Sequence, residues 1–295
     1  MQTELGLEAI GFLEEGIALW QKRLHDLSTV ERFAGIEMIH RTNLDVHTAR
    51  IVILTIIAKQ AMQSRGITIN GRHAVDLAKV HDDPEVITKD IPSTVKSAMT
   101  EAERQKLHKQ EETATIALAR QYMPRMFQDF YIGLWREAKS KLTPESQVVD
   151  IADKWDGICE AIHEIRCGND DFLQVLERYR SLVLPHLENY DSWQVISEHP
   201  KIQLSNVPTA QEAQRLPKIS LDTYRLHGAQ IFWEEVMDPN VPEFYKRWIK
   251  TTFTCGLDLD VPGTPLFPDW AKELGPQDLK DYFPILHRGR IVKLN

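Results

Sequence analysis

Apolar residues recur at helical spacing through most of the first 187 residues, and this period constrains the fold more than any other feature. In the first such segment, 7–27, the apolar positions include Ile10, Leu13, Ile17 and Trp20. Residues three and four positions apart lie on one face of an α-helix, so the segment predicts a helix that buries one side. The same period in later segments predicts an all-α fold.

The later helices are bounded by residues that begin or end helices. Proline lacks an amide hydrogen and interrupts a helix, which predicts a break near Met123–Pro124. Gly168–Asn169 is suited to end another helix. The predicted spans are 45–63, 73–80, one or two helices within 98–139, 144–166 and 171–187.

The character of the chain changes near residue 189. Ten of the fifteen prolines lie beyond that point, helical periodicity weakens, and aromatic residues are frequent. A segment so rich in aromatic residues is expected to be packed rather than disordered. We therefore predict a helical domain at residues 1–188 and a proline- and aromatic-rich C-terminal extension, 189–295, that packs on it.

Composition limits the classes of partner and compartment. The formal net charge of −8 argues against binding to a nucleic-acid polymer or an anionic membrane. Three cysteines without CxxC spacing indicate neither a disulfide framework nor a thiolate zinc site. The N-terminus is acidic where a signal peptide is basic, and no apolar run approaches about 18 residues. We expect a cytoplasmic protein without a membrane anchor.

A short acidic run, residues 81–92, contains an imidazole and four carboxylates and begins at His81–Asp82, the end of a predicted helix. His47 and Asp153 also lie on predicted helices. Together these side chains offer two imidazole nitrogens and two carboxylates, a donor set suited to Mn, Co, Fe, Ni or Zn. The sequence therefore predicts a metal site with coordination positions open to water and a phosphoryl oxygen.

The order of these residues resembles a known signature. His47, then His81–Asp82, then Asp153 is similar to the H…HD…D pattern of HD-domain phosphohydrolases. The run HDxxEVxTxDxPxxVK over residues 81–96 resembles the bacterial 5′-deoxynucleotidase branch of that superfamily, and Arg32 precedes His47 at the spacing of that branch. The resemblance covers about residues 28–185 and implies an HD-domain helical bundle.

The resemblance also implies roles for individual residues. It implies one divalent cation (Mn, Co, Mg, Zn, Ni or Fe), since only His108 lies between the HD pair and Asp153 and two-metal relatives have further histidines there. The residues that it implies as ligands are His47, His81, Asp82 and Asp153. It implies Glu85 as general acid or base, and Arg32, Phe33 and Asp90 as substrate-binding residues.

Three positions depart from the family pattern. Asp45–Val46–His47 replaces a usual Ser-Glu-His, Phe33 stands where the branch typically has tryptophan, and Lys89 stands where glycine is common. The chain also exceeds the usual family length by roughly a hundred residues. These departures leave open the sugar preference and the role of the extension.

The expected function is release of phosphate from 2′-deoxynucleoside 5′-monophosphates by a metal-activated water. Two alternatives stay open: a deoxynucleoside triphosphate hydrolase of the same fold, which extra basic residues in the pocket would indicate, and a nucleotide-sensing HD protein without turnover. The expected partner is a small nucleotide, and the resemblance leaves a homodimer open.

Overall fold

The computed structural model describes residues 16–91, 93–219 and 238–254. Within these ranges the chain is helical without a β-strand, and Glu31 and Asn43 form an isolated antiparallel bridge. No helix in these ranges is long and apolar enough to cross a membrane. In chain order the α-helices are α1 (16–27), α2 (Leu44–Ser64), α3 (Gly71–Val80), α4 (Glu85–Thr88), α5 (Ser93–Ala98), α6 (Glu101–Tyr122), α7 (Gln128–Ser140), α8 (Pro144–Arg166), α9 (Phe172–Arg178), α10 (Leu184–Leu187), α11 (Asp191–Ser197), α12 (Ala210–Gln214) and α13 (Glu243–Thr254).

Three helices, α2, α3 and α8, pack against one another and form the centre of the bundle. Helix α2 is apolar on most of its surface, and residues such as Ile51 and Leu54 are fully buried. A helix that is apolar all round is stable only when other elements surround it. Trp155 and Ile158 of α8 are also fully buried, so α8 lies in the core along most of its length.

The ends of α8 follow from local sequence. Thr143 caps its N-terminus in a reciprocal capping box with Ser146, and Pro144 occupies the first turn, where its missing amide hydrogen is no loss. At the C-terminus Gly168 has a φ of +99°, a conformation that glycine adopts without steric cost. Its amide and that of Asn169 donate to the carbonyls of the last turn.

Most of the predicted helices are confirmed. The spans 45–63, 73–80 and 144–166 correspond to α2, α3 and α8, and the break at Pro124 separates α6 from α7. The predicted helix 171–187 is divided by a π-helical turn, Tyr179–Val183, before Pro185, whose missing amide breaks the regular hydrogen-bond register. Of the predicted helix 7–27, residues 7–15 lie outside the described ranges.

Residues beyond 189 pack on the central helices. Helices α11 and α13 contact α2 and α8, and the Trp155 indole donates to the carbonyl of Phe244 at 3.0 Å. Buried side chains on both sides of residue 189 contribute to the same hydrophobic core, including Ile162 and Trp248. The division into a domain of 1–188 and an extension of 189–295 stays a prediction.

Candidate metal centre and substrate pocket

Four side chains from three helical segments meet at the centre of the bundle. His47 lies in the first turn of α2, His81 and Asp82 follow the last residue of α3, and Asp153 lies in the middle of α8. One ligand atom from each residue lies within 4.8 Å of the others. The packing of α2, α3 and α8 thus brings together the four residues for which the sequence predicts a metal.

Both imidazoles are oriented by hydrogen bonds at Nδ1. His47 Nδ1 lies 2.8 Å from Asp156 Oδ2, and His81 Nδ1 lies 2.8 Å from the carbonyl oxygen of Ala78. Both partners are acceptors and favour a proton on Nδ1, which places the lone pair of the neutral imidazole on Nε2. In a metal-binding histidine, the ring nitrogen that does not bind the metal usually donates a hydrogen bond to such an acceptor.

The Nε2 atoms of His47 and His81 are the strongest sign that the site fits a cation. Both are buried without a hydrogen bond, although Asp82 Oδ2 lies 3.2 Å from each of them. Asp153 Oδ1 lies 3.3 Å from His47 Nε2. Buried nitrogen atoms with lone pairs are costly unless something binds them, and a divalent cation would satisfy all four groups.

The two carboxylates of this group are ionised. Burial acts to raise the pKa of Asp82, but His81 and His47 outweigh it and hold that pKa well below its usual range. Burial likewise opposes ionisation of Asp153, whose pKa is held low by Lys154 and His47. The site therefore presents two negative oxygens and two imidazole nitrogens, the mixed donor set predicted from sequence.

Glu85 begins α4, one turn after Asp82, and is buried. Burial and the charge of Asp82 raise its pKa to about 8, although Lys96, whose Nζ lies 3.2 Å from Oε1, acts in the opposite direction. A carboxyl group with this pKa holds its proton at neutral pH. Glu85 can therefore serve as a proton donor.

A cavity of about 230 Å³ opens beside the four-residue group. Its wall includes His81, Asp82, Glu85 and Asp153, together with the three residues predicted to bind substrate, Arg32, Phe33 and Asp90. The remaining polar residues of the lining are mostly lysines. They are Lys96, Lys139, Lys141, Lys154, Asp150 and Tyr179.

Arg32 is held inside the wall by two carboxylates. Its Nη1 lies 2.6 Å from Asp156 Oδ2 and 2.9 Å from Glu160 Oε2, and it also contacts His47 Nδ1. Arg32 therefore supports the residue that orients His47, in addition to facing the cavity. Its predicted binding of a phosphate stays a prediction.

Phe33 and Asp90 both line the cavity, but they differ in exposure to solvent. Phe33 has a φ of +52° and packs edge-on against Phe172, with ring centroids 5.3 Å apart. Its side chain is buried, while Asp90 is partly exposed. Their contact with a substrate stays a prediction.

Several residues at the site were not predicted from sequence. Asp156 accepts from His47, and its other oxygen accepts from the Trp248 indole at 2.5 Å. Asp156 follows Asp153 by three positions, so both lie on one face of α8, a signal that the sequence contains. The lysines of the wall come from separate segments, and no spacing in the sequence connects them.

Comparison with known proteins identifies a matching family and similar solved structures. The family described as 5′-deoxynucleotidase YfbR-like matches residues 20–192. A solved HD-domain phosphohydrolase (lin2634) from Listeria innocua is 21% identical, with a TM-score of 0.46 over 61% of this chain and 93% of that chain. The PH0347 protein from Pyrococcus horikoshii OT3 is 22% identical, with a TM-score of 0.48 over 68% of this chain and 98% of that chain. Among curated proteins, none matches this chain.

The family match spans more than half of the chain and includes every residue of the four-residue group and of the predicted substrate wall. The all-α bundle is the fold predicted for an HD domain. The chain therefore belongs to the YfbR-like 5′-deoxynucleotidase family and is a nucleotide phosphohydrolase of the HD-domain superfamily.

Proposed function

We propose that this chain hydrolyses 2′-deoxynucleoside 5′-monophosphates, with one divalent cation held by His47, His81, Asp82 and Asp153. The observation that carries the proposal is the convergence of these four ligand atoms within 4.8 Å, with both Nε2 atoms buried and facing carboxylates. A bound divalent cation would lower the pKa of a coordinated water molecule and would polarise the phosphoryl oxygen.

Glu85 is the residue best suited to handle a proton in this reaction. When the bond between phosphorus and the 5′-oxygen breaks, the departing oxygen gains negative charge and needs a proton. The raised pKa of Glu85, due to burial and Asp82, keeps its carboxyl protonated at neutral pH. Glu85 therefore acts as general acid toward the leaving nucleoside.

The basic side of the cavity supports binding of a phosphate. Arg32 and Lys154 lie on the wall, and Lys154 Nζ is 2.5 Å from Asp153 Oδ2. Burial opposes the charge of Lys154, but Asp153 and Asp150 hold its pKa well above its ordinary value, so it is a cation. Such cations stabilise the negative oxygens of a phosphate.

A deoxynucleoside triphosphate is the second candidate substrate, and the four lysines of the wall are the observation that favours it. Each of them already lies beside a carboxylate, which reduces the net positive charge available to a longer phosphate chain. The partners are Glu85 for Lys96, Glu111 for Lys139, Asp150 for Lys141 and Asp153 for Lys154. We therefore place the monophosphate first.

Phosphate release from a panel of deoxy- and ribonucleoside mono- and triphosphates tests the proposal. Protein treated with a chelator is resupplied with Mn²⁺, Co²⁺, Mg²⁺ or Zn²⁺. We expect release to be fastest from deoxynucleoside monophosphates, to require metal, and to fall by about 100-fold or more in Asp82→Ala and Glu85→Ala. Asp76→Ala is the matched control, because Asp76 pairs with Lys79 on α3 outside the cavity wall.

The other outcomes separate the alternatives. Faster hydrolysis of triphosphates than of monophosphates would favour the second candidate. Nucleotide binding without phosphate release, whichever metal is supplied, would instead indicate a nucleotide-sensing function. Full activity of Asp82→Ala would refute the proposed site itself.

A further inference from the structure

A second group of metal-binding side chains lies at the C-terminal end of α8. His163 on α8, Cys167 just after its last residue, and His40 in the loop before α2 each place a ligand atom within 4.8 Å of the others. None of these three residues lines the cavity described above. Ten residues separate His163 from Asp153, so the two groups lie about 15 Å apart along the helix.

The spacing between His163 and Cys167 is suited to chelation. Residues four positions apart on a helix lie on the same face, one turn from each other. The distance from Cys167 Sγ to His163 Nε2 is 3.9 Å. Zinc bonds of about 2.3 Å to sulfur and 2.1 Å to nitrogen place two tetrahedral ligand atoms about 3.6 Å apart. The observed pair therefore needs only a small adjustment to share one ion.

The His163 ring is oriented for this role. Its Nδ1 lies 2.8 Å from the Tyr245 hydroxyl, whose oxygen can accept a hydrogen bond from it. In that tautomer the lone pair of Nε2 faces Cys167. The Tyr245 hydroxyl on α13 is thus in the position of the outer partner that a metal-binding histidine usually has.

His40 is brought to the group by a loop that is fastened to α8. Glu164, the neighbour of His163, accepts hydrogen bonds from the backbone amides of Ile39 and His40, both at 2.7 Å. Asn169 donates to the carbonyl of Glu37 at 2.8 Å. The ring centroid of His40 lies 4.8 Å from that of His163. The third ligand is therefore positioned by backbone contacts that do not involve its ring.

We propose that His40, His163 and Cys167 bind a second metal ion, of the zinc type, with one coordination position left for water. A thiolate and two imidazoles form a softer donor set than the two imidazoles and two carboxylates of the first centre. His40 and Cys167 are partly exposed, so an ion can enter from solvent. The ion cross-links α8 to the loop that also contains Arg32 and Phe33, and it thereby stabilises one wall of the substrate cavity.

Binding stoichiometry with Zn²⁺ tests this proposal on the full chain. We expect wild-type protein to bind two equivalents, Asp153→Ala to bind one, and Asp153→Ala/Cys167→Ser to bind none. Zn²⁺ should raise the melting temperature of Asp153→Ala and leave that of the double variant unchanged. His40→Gln in the Asp153→Ala background is a second variant that leaves both helical ligands in place.

Cobalt absorption identifies the sulfur ligand. Co²⁺ bound to a thiolate gives a charge-transfer band in the near ultraviolet, and we expect this band in wild type and not in Cys167→Ser. Cys159→Ser and Cys255→Ser are the controls for the other two thiols and should retain the band. A band that persists in Cys167→Ser, or a second equivalent of Zn²⁺ that survives in Cys167→Ser and His40→Gln, would overturn the proposal.

Discussion

At the scale of single residues, titratable side chains lie close together at the site and shift one another's pKa. The carboxylates of Asp82 and Asp153 are ionised, while Glu85, only three positions from Asp82, has a pKa raised to about 8 by burial and by Asp82. Neighbouring carboxyl groups with different protonation states are typical of sites that combine metal binding with acid catalysis. Such a group also makes stability depend on pH.

Glu85 is predicted to destabilise the metal-free protein at high pH. Between its ordinary pKa and about 8 the folded protein binds more protons at Glu85 than the unfolded chain does, so the free energy of unfolding falls as pH rises. Glu85→Gln removes this titration. We expect variant and wild type to be similarly stable near pH 5, and the variant to be more stable by on the order of 3 to 4 kcal/mol at pH 8. Denaturant unfolding of metal-free protein at both pH values measures the difference; a difference independent of pH would contradict the assignment.

Lys89 is predicted to be strained. It follows α4 with a φ of +65° and a ψ of 160°, a conformation open to glycine and costly for other residues. This conformation agrees with the glycine expected at this position from the family resemblance. We expect Lys89→Gly to raise the free energy of unfolding by about 1 kcal/mol. Lys79→Gly, within α3, is the control and should lower it by a similar amount. Equal destabilisation by both changes would disprove the strain.

At the scale of helices, α13 is connected to the candidate metal centre through one carboxylate. Asp156 accepts from His47 Nδ1 at 2.8 Å through one oxygen and from the Trp248 indole at 2.5 Å through the other. Trp248 is buried, and the guanidinium of Arg50 lies 4.7 Å from its ring centroid. Helix α13, which lies beyond the region that matches the family, is thus connected to a predicted metal ligand.

Trp248→Phe is expected to weaken metal binding without loss of the fold. The phenyl ring keeps most of the packing but lacks the N–H that holds Asp156, so His47 becomes less well oriented. We expect a several-fold lower affinity for Co²⁺, and a loss of about 10- to 100-fold in Asp156→Asn. Isothermal titration in the Cys167→Ser background, which removes the proposed second site, measures both. Trp193→Phe, at another buried tryptophan, is the control, and equal affinities for the two Trp→Phe variants would show that the indole N–H has no such role.

At the scale of the whole molecule, the sequence predicted the elements that have a local or motif signal. Helical periodicity identified α2, α3 and α8, and the motif identified His47 and Asp153, which are far apart in sequence and adjacent in the bundle. The π-helical turn at 179–183 was missed because apolar periodicity does not report which carbonyl each amide bonds. The four lysines of the cavity wall and the hydrogen bond from Trp248 to Asp156 depend on tertiary packing. No single segment of the sequence encodes them. A cytoplasmic location and a homodimer stay predictions.

The central claim is that phosphate ester hydrolysis takes place at the four-residue group. Titration of metal-stripped protein with Co²⁺, with bound cobalt and phosphate release from dAMP measured on the same samples, tests it most directly. The Cys167→Ser background removes the proposed second site. We predict that activity appears in step with one bound equivalent, and that His81→Ala and Asp153→Ala lose both. Hydrolysis that continues in Asp153→Ala, or that proceeds at full rate without bound metal, would contradict the account.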